Sequence, residues 1–171
     1  MHFEGDNYYI IRLDFKFYQL YIIWIGNEVD EVLVNDDLKV IAFKTEVGLL
    51  RYWNDHIRGS NTEVTDYNIY KIQQWITNPY PQFDYDVFLN LWNLFTDISE
   101  STKLKFIGDV KDEIRDEVYD KLFNASNGYW ANEPNPVFDD TEIDILNKVM
   151  QNGLDLLLNN ISIAENEIIL P

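Results

Sequence analysis

The period of the hydrophobic pattern changes once along this chain, near residue 45, and that change limits the folds it can adopt. Residues 9–17 alternate apolar with polar side chains, which predicts a β-strand with one buried face. The apolar members are Tyr9, Ile11, Leu13, Phe15 and Phe17, and the polar members between them are Arg12, Asp14 and Lys16. The next run, Leu20 to Ile25, is apolar on both faces, so we expect a central strand that ends at Gly26-Asn27.

A tight hairpin is predicted further along the same half of the chain. Val32-Leu33-Val34 and the segment Leu38 to Phe43 flank Asn35-Asp36-Asp37, whose residue types favour turns. Together these segments predict an antiparallel meander of three or four strands within residues 7–44.

Apolar residues take up helical spacing after Thr45, whose side chain can cap a helix N-terminus. About five helices are expected, the first ending at Gly59 and the second running from an Asp66 cap to a point before Pro79. The predicted buried stripes are Val47, Leu50, Trp53 and Ile57; then Ile69, Ile72 and Ile76; then Val87, Phe88, Leu91, Leu94, Phe95 and Ile98; and finally Ile143, Leu146, Val149, Met150, Leu154 and Leu157.

Two helix starts carry a more specific expectation. Residues 102–123 fit either one helix or two helices broken at Gly108, with Asp109 capping the second piece. The last helix begins at Asp139, and Glu142 three positions later completes a capping box.

A sheet followed by helices predicts an α+β fold with the helices packed mainly on one face of the sheet. The length of 171 residues predicts a single domain over residues 1–171, mainly β in 1–44 and mainly α in 45–171.

The charge of the chain indicates which partners it can attract. Asp and Glu number 30 against 13 Lys and Arg, a net charge of -17, while 46% of the residues are apolar and 15% are aromatic. That composition predicts a folded acidic protein rather than a disordered tail. Its field repels nucleic acid and anionic membranes and attracts basic proteins. The alternative is that the acidity only keeps an aromatic-rich protein soluble.

One group of acids lies before the long loop that precedes the last helix. At about 100° per residue, Asp109, Glu113, Asp116 and Asp120 fall within roughly a 60° arc of one helix. Asp112 and Glu117 lie beside this predicted ridge, and the apolar residues Val110, Ile114, Val118 and Leu122 lie towards the opposite side. Like charges at this spacing weaken a helix, and Lys111, Arg115 and Lys121 lie off the ridge. The ridge is therefore a candidate binding surface, and the alternative is an ordinary solvated face.

The loop from Asn124 to Phe138 is rich in Asn and Pro and also carries Tyr129 and Trp130. Fifteen residues without secondary structure are unusual in a small domain. The two aromatic side chains either pin the loop to the body of the protein or serve as apolar anchors for a partner. With the acids of the ridge they complete the predicted partner-binding set.

Catalytic and metal chemistry find little support in the sequence. There is no Cys, no phosphate-binding glycine loop and no nucleophile elbow, and His56 is the one credible imidazole. The carboxylates from Asp139 to Asp144 lack the spacing of a calcium loop and are better explained as helix caps. We therefore expect no catalytic residue, no cofactor and no metal.

No apolar run could span a bilayer and no secretory signal is evident, so we expect a cytoplasmic protein without membrane contact.

The chain resembles the immunity proteins of bacterial polymorphic-toxin and contact-dependent inhibition systems. The residues that carry the resemblance are Leu38 to Glu46, Val118 to Phe123 with the Asn- and Pro-rich loop after it, and Ile143 to Leu158. The resemblance implies a cytosolic antidote that binds one cognate toxin, often an enzyme with a basic active-site cleft, and blocks access to it without doing chemistry.

We therefore predict a non-enzymatic binding protein that neutralises a basic toxin by occluding its active site. One alternative is a hydrolase or metal-dependent enzyme that uses clustered Asp and Glu. Another is a protein that mimics nucleic-acid charge and inhibits a DNA-binding protein.

Overall fold

The fold is α+β, as the switch in hydrophobic period predicts. A computed structural model describes residues 7–57, 63–128 and 136–164. The strands are β1 (Asn7–Asp14), β2 (Gln19–Gly26), β3 (Glu31–Val32), β4 (Val40–Phe43), β5 (Val64–Asn68) and β6 (Ile161–Ile163). The helices are α1 (Glu46–Tyr52), α2 (Ile69–Thr77), α3 (Tyr85–Thr102), α4 (Glu113–Ser126) and α5 (Asp140–Asn159), with a π-helical turn at Trp53–Ile57 and a 3₁₀ turn at Ile107–Asp109.

The chain divides into two compact units. The first comprises Met1–Tyr70, Glu100–Lys103 and Asn159–Pro171, and contains the sheet together with α1. The second comprises Lys71–Ser99 and Leu104–Leu158, and contains most of the helical residues. A single domain spanning residues 1–171 stays a prediction.

The sheet of the first unit is built around the strand that the sequence assigns to its centre. Its strands are ordered β5-β1-β2-β4-β6, and β3 pairs with β2 off this path. β1 and β2 are antiparallel along their whole length, from Asn7 opposite Gly26 to Asp14 opposite Gln19. β3 and β4 are also antiparallel to β2. The predicted hairpin before β4 is present. The Asn35 carbonyl accepts the backbone N–H of Leu38, and the Asn35 N–H donates to the Lys39 carbonyl.

Two strands lie outside the predicted meander and make the sheet mixed. β5 pairs with β1 in parallel, and β6 pairs with β4 in parallel. Asp66 is therefore a strand residue and not the cap of the second helix. Its carboxylate instead pairs with the guanidinium of Arg12, its register partner on β1. The physical reason is tertiary: β5 pairs with β1 along its whole length, and these backbone hydrogen bonds outweigh the local preference of a lone Asp for a cap.

The core of the first unit lies between one face of the sheet and α1. Thr45 caps α1 as predicted, with its Oγ1 accepting the backbone N–H of Gly48 at 3.0 Å. Leu49 and Trp53 are the large buried side chains of this segment, and they pack with Tyr8 on β1. The predicted stripe was wrong by one position at its start, because Val47 is exposed.

The turn between β1 and β2 corrects the prediction that Phe17 is buried. Phe15 donates its N–H to the Tyr18 carbonyl, so Lys16 and Phe17 form a two-residue turn. Lys16 has a φ of 76°, a conformation favoured by glycine at the first position of such turns. Because Phe17 lies in the turn and not in the strand, its side chain does not follow the alternation of buried and exposed residues and is 87% exposed.

The second unit is held together by α3, α4 and α5. All six predicted apolar positions of α5, from Ile143 to Leu157, are buried. The capping box is confirmed: Glu142 accepts the N–H of Asp139 at 2.8 Å, and Asp139 accepts the N–H of Glu142 at 2.9 Å. Gly153 lets α5 approach Phe95 of α3 closely, because a Cβ at Gly153 would lie 2.0 Å from the Phe95 ring.

Candidate functional site

Helix α4 begins later than the sequence analysis expects. Asp112 is its N-cap, and its Oδ1 accepts the backbone N–H of Arg115 at 2.9 Å. Glu113 and Asp116 occupy the first turn, where carboxylates interact favourably with the helix dipole. Residues 102–123 do not form a single helix, and of the two predicted pieces only the second is a helix. α3 ends at Thr102, a 3₁₀ turn at Ile107–Asp109 stands where the first piece was predicted, and α4 starts after Asp112 rather than at Asp109.

Asp109 is therefore not part of the ridge. It ends the 3₁₀ turn at Ile107–Asp109, is half-buried and accepts a hydrogen bond from Thr96 Oγ1 at 2.7 Å. The neighbouring Gly108 is fixed as well, because its carbonyl accepts the indole N–H of Trp92 at 3.3 Å. These contacts with α3 hold the segment in a turn where local sequence also allows a helix. The role of Asp109 is to position the chain ahead of α4.

The remaining acids share one face of α4. At about 100° per residue, Glu113, Asp116, Glu117 and Asp120 span roughly a 100° arc, and we call these four residues the acidic face. Glu113, Glu117 and Asp120 are exposed, and Asp116 is half-buried. Val118 and Leu122 lie on the opposite, buried side of the helix.

The nearby cations neutralise only part of this charge. Arg115 pairs with the cap residue Asp112, and Lys111 Nζ lies 3.5 Å from Asp116 Oδ1. Lys121 is drawn to α5, where its Nζ lies 2.7 Å from Glu142 Oε2. Among the described residues, Glu113, Glu117 and Asp120 form no salt bridge. Three neighbouring carboxylates on α4 thus carry charge that this part of the chain leaves uncompensated.

Apolar side chains border the acidic face on both sides. Ile114 belongs to the apolar side that the sequence predicts for this helix, but it is 47% exposed and lies next to Glu117 on the helical wheel. Val110 was assigned to the same stripe and is also exposed, because it precedes the helix. Phe123 lies on the other border, seven residues after Asp116, and is 42% exposed. The surface therefore combines carboxylates with exposed apolar side chains.

The anchors proposed from sequence, Tyr129 and Trp130, lie outside the described residues. Phe123 is the aromatic residue that the structure places beside the acidic face. The sequence contained a signal for it, since Phe123 falls at helical spacing from Asp116 and Asp120. The spacing alone does not assign Phe123 to the surface, because an apolar residue near a helix end suits the core equally well.

Tyr119 fixes α4 against α3 next to this surface. Its hydroxyl donates to Asn93 Oδ1 at 2.9 Å, and its ring packs edge-on against Trp92 with centroids 5.4 Å apart. Burial raises the pKa of Tyr119 above its ordinary value, and the negative charge of Asp120 adds to that shift. Packing of Tyr119 against α3 therefore fixes the orientation of the helix that carries the acidic face.

We expect Tyr119→Phe to reduce the loss of stability that the chain suffers at alkaline pH. Because the folded-state pKa lies above the unfolded one, the stability from the protonated phenol is fully present below pH about 10. It is lost as the pH rises through the folded-state pKa. Urea titrations from neutral to strongly alkaline pH measure this dependence. Tyr80→Phe, at a half-exposed tyrosine, is the control, and equal alkaline slopes for both variants would contradict the assignment.

The other residues considered for chemistry have structural roles. His56 lies in the π-helical turn, with Nδ1 3.0 Å from the Tyr52 carbonyl and its ring stacked on Tyr52. Asp139 and Glu142 are engaged in the capping box. Within the described ranges no group of three or more His, Cys, Asp or Glu side chains has the geometry to hold a metal ion.

A second exposed surface lies at the β1–β2 turn. Phe17 and Tyr18 are exposed there, and Tyr18 is held in place by stacking on the buried Phe15 with centroids 4.7 Å apart. Lys16 Nζ lies 4.5 Å from the centre of the Tyr70 ring and 5.2 Å from that of Phe17. We call Lys16, Phe17, Tyr18 and Tyr70 the turn cluster. The sequence gives no sign of this cluster, because Phe17 continues the alternation of the strand before it.

Comparison with known proteins adds no relative: no family model, no curated protein and no solved structure matches the chain. Among the described residues, no helix has both the length and the apolar character needed to cross a membrane.

Proposed function

We propose that this chain is a non-enzymatic binding protein that captures a basic protein on the acidic face of α4. The observation that carries the proposal is the set of exposed carboxylates Glu113, Glu117 and Asp120, which form no salt bridge among the described residues. Like charges at this spacing weaken the helix that bears them. Cations from a partner would remove that repulsion, so binding of a basic ligand at this face would stabilise the helix.

The charges and the apolar borders have different roles in this proposal. A net charge of -17 steers a basic partner toward the chain and raises the association rate. Exposed carboxylates add little affinity once their desolvation is counted. Phe123 and Ile114 supply apolar surface that becomes buried on binding and slows dissociation.

Within this class, we propose an immunity protein that neutralises a cognate toxin. A toxin that acts on nucleic acid needs a basic cleft to hold phosphates, and an acidic surface competes for that cleft. Occlusion requires no catalytic group on the antidote. The first partner to test is a basic domain at the end of a secreted protein encoded immediately upstream, where such a gene is present.

The test compares two variants that remove the same amount of charge. The first is Glu113→Gln, Glu117→Gln and Asp120→Gln on α4. The control is Glu28→Gln, Asp30→Gln and Glu31→Gln, three exposed acids of which two lie between β2 and β3 and the third, Glu31, begins β3. Association with the candidate toxin domain is followed by stopped flow at low and high salt, and protection by co-expression in growing cells.

We expect the α4 variant to associate about tenfold more slowly at low salt, with a weaker salt dependence, because steering is strongest near the docking surface. The control variant should keep most of the parent rate. Equal slowing of both would mean that only net charge matters, which excludes α4 as the docking surface. Tight binding without protection of the cells would retain the binding role and exclude the antidote.

A further inference from the structure

The sequence contains two Asn-Gly dipeptides, Asn127-Gly128 and Asn152-Gly153. An asparagine followed by glycine is prone to lose ammonia, because the backbone nitrogen of glycine can attack the side-chain amide carbon of the asparagine. Glycine favours this reaction since it lacks a Cβ and its backbone rotates freely. The attack requires rotation of the intervening peptide unit, so local structure decides the rate.

Asn127-Gly128 lies where that rotation meets little resistance. Asn127 is the C-cap of α4, outside the regular helix, and both residues are exposed. Gly128 has a φ of 69°, and no described atom lies within 4 Å of the position that a Cβ would take. Its N–H is held by one long hydrogen bond, 3.4 Å to the Ala125 carbonyl.

Asn152-Gly153 could react in the same way, but it lies in a regular helix whose backbone is held in place. Both residues lie inside α5, where the peptide units are fixed by helical hydrogen bonds. Gly153 is buried against Phe95. The Asn152 Oδ1 accepts the backbone N–H of Ile107 at 2.9 Å, so this side chain is tied to a segment outside its own helix, whereas among the described residues the Asn127 side chain bonds only to Phe123 in its own last turn.

We propose that Asn127 is a site of spontaneous deamidation in the folded chain and that Asn152 is protected. The Gly128 nitrogen forms a bond to Asn127 Cγ, the Cγ–Nδ2 bond breaks, and Nδ2 leaves as ammonia with the proton from Gly128. Water then opens the cyclic imide at either of its two carbonyls, giving aspartate or isoaspartate. One water is consumed, one ammonia is released, and no redox partner is needed.

The modification changes the end of α4. Asn127 Nδ2 donates a hydrogen bond to the Phe123 carbonyl at 2.8 Å, in addition to the Asn127 backbone N–H that the same carbonyl accepts at 3.0 Å. An aspartate at this position has no such donor. It also places negative charge at the negative end of the helix dipole. Deamidation therefore weakens the last turn of α4, which carries Phe123, and this inference stands whether or not the proposed function is correct.

The experiment incubates the full chain in mildly alkaline buffer and maps peptides by mass spectrometry, with detection of isoaspartate at each Asn-Gly. We expect deamidation at Asn127 to be at least about tenfold faster than at Asn152, because a packed helix must open before it can react. In denaturant the two rates should become similar. Asn127→Gln, which forms the cyclic imide far more slowly, should abolish the product at this position while leaving the circular dichroism unchanged.

Hydrogen exchange gives a second readout of the consequence. Amides in the last turn of α4 should exchange faster in Asn127→Asp than in the parent chain, while those in the middle of α5 should not change. Equal conversion of Asn127 and Asn152 in the folded chain would overturn the proposal. So would an Asn127 that stays intact in the folded chain while both asparagines convert in denaturant.

Discussion

Replacing Gly153 with alanine should destabilise the chain by about 2–3 kcal/mol, although alanine is the better helix former by about 1 kcal/mol. The reason is the close approach of α5 to Phe95, where the new Cβ would lie 2.0 Å from Cδ2 and 2.3 Å from Cγ of the ring. Phe95 is fully buried, so it has little space into which to move. The free energy of unfolding from urea denaturation measures the effect.

A double-mutant cycle tests the steric explanation directly. Phe95→Leu alone should destabilise the chain, since it leaves a cavity. Combined with Gly153→Ala, it should cost less than the sum of the two single changes, because the smaller side chain makes room for the Cβ. Gln151→Ala, an exposed change on the same helix, should have a small effect. Strict additivity of Phe95→Leu and Gly153→Ala would show that the two residues do not compete for space.

Local signals were sufficient to predict most of the helices and the antiparallel strands. The Asp139 and Glu142 box and the Thr45 cap are contacts between residues three apart, so the sequence contains both partners side by side. The β1–β2 pairing joins neighbouring strands through a two-residue turn. In each case the interaction that forms the structure lies within a few residues along the chain.

The missed strands depend on partners far along the chain. β5 has the sequence Val-Thr-Asp-Tyr-Asn, in which apolar and polar residues do not alternate, and its partner β1 lies more than fifty residues earlier. β6 has only three residues and pairs with β4 from the far end of the chain. Parallel pairing needs such long connections, so no short window of sequence contains the signal.

The same reasoning explains the outcome at the candidate site. The helical wheel correctly groups Glu113, Asp116 and Asp120, because it needs only the geometry of one helix. It fails for Asp109, whose position is set by Thr96 on α3. Local sequence predicts Asp109 as the cap, but the contact with Thr96 holds Asp109 in the turn before the helix, and Asp112 is the cap instead.

Phe123→Ala should weaken binding of the proposed partner by about 2 kcal/mol or more, if Phe123 is an anchor of the interface. The effect should appear mainly in the dissociation rate, since apolar burial holds the complex together after charges have steered the encounter. Surface plasmon resonance with the candidate toxin domain separates the two rates. Circular dichroism and thermal unfolding must first match the parent, because part of the Phe123 side chain is buried.

Phe17→Ala is the matched control, because it removes the same side chain from the other exposed surface, the turn cluster. If the partner docks on α4, Phe17→Ala should leave both rates close to those of the parent. The reverse result, with Phe17→Ala weakening binding and Phe123→Ala neutral, would assign docking to the turn cluster instead. The two phenylalanine variants therefore test which surface is buried against the partner, and they do so through the dissociation rate. The charge variants test electrostatic steering through the association rate, so each part of the proposed mechanism can fail separately.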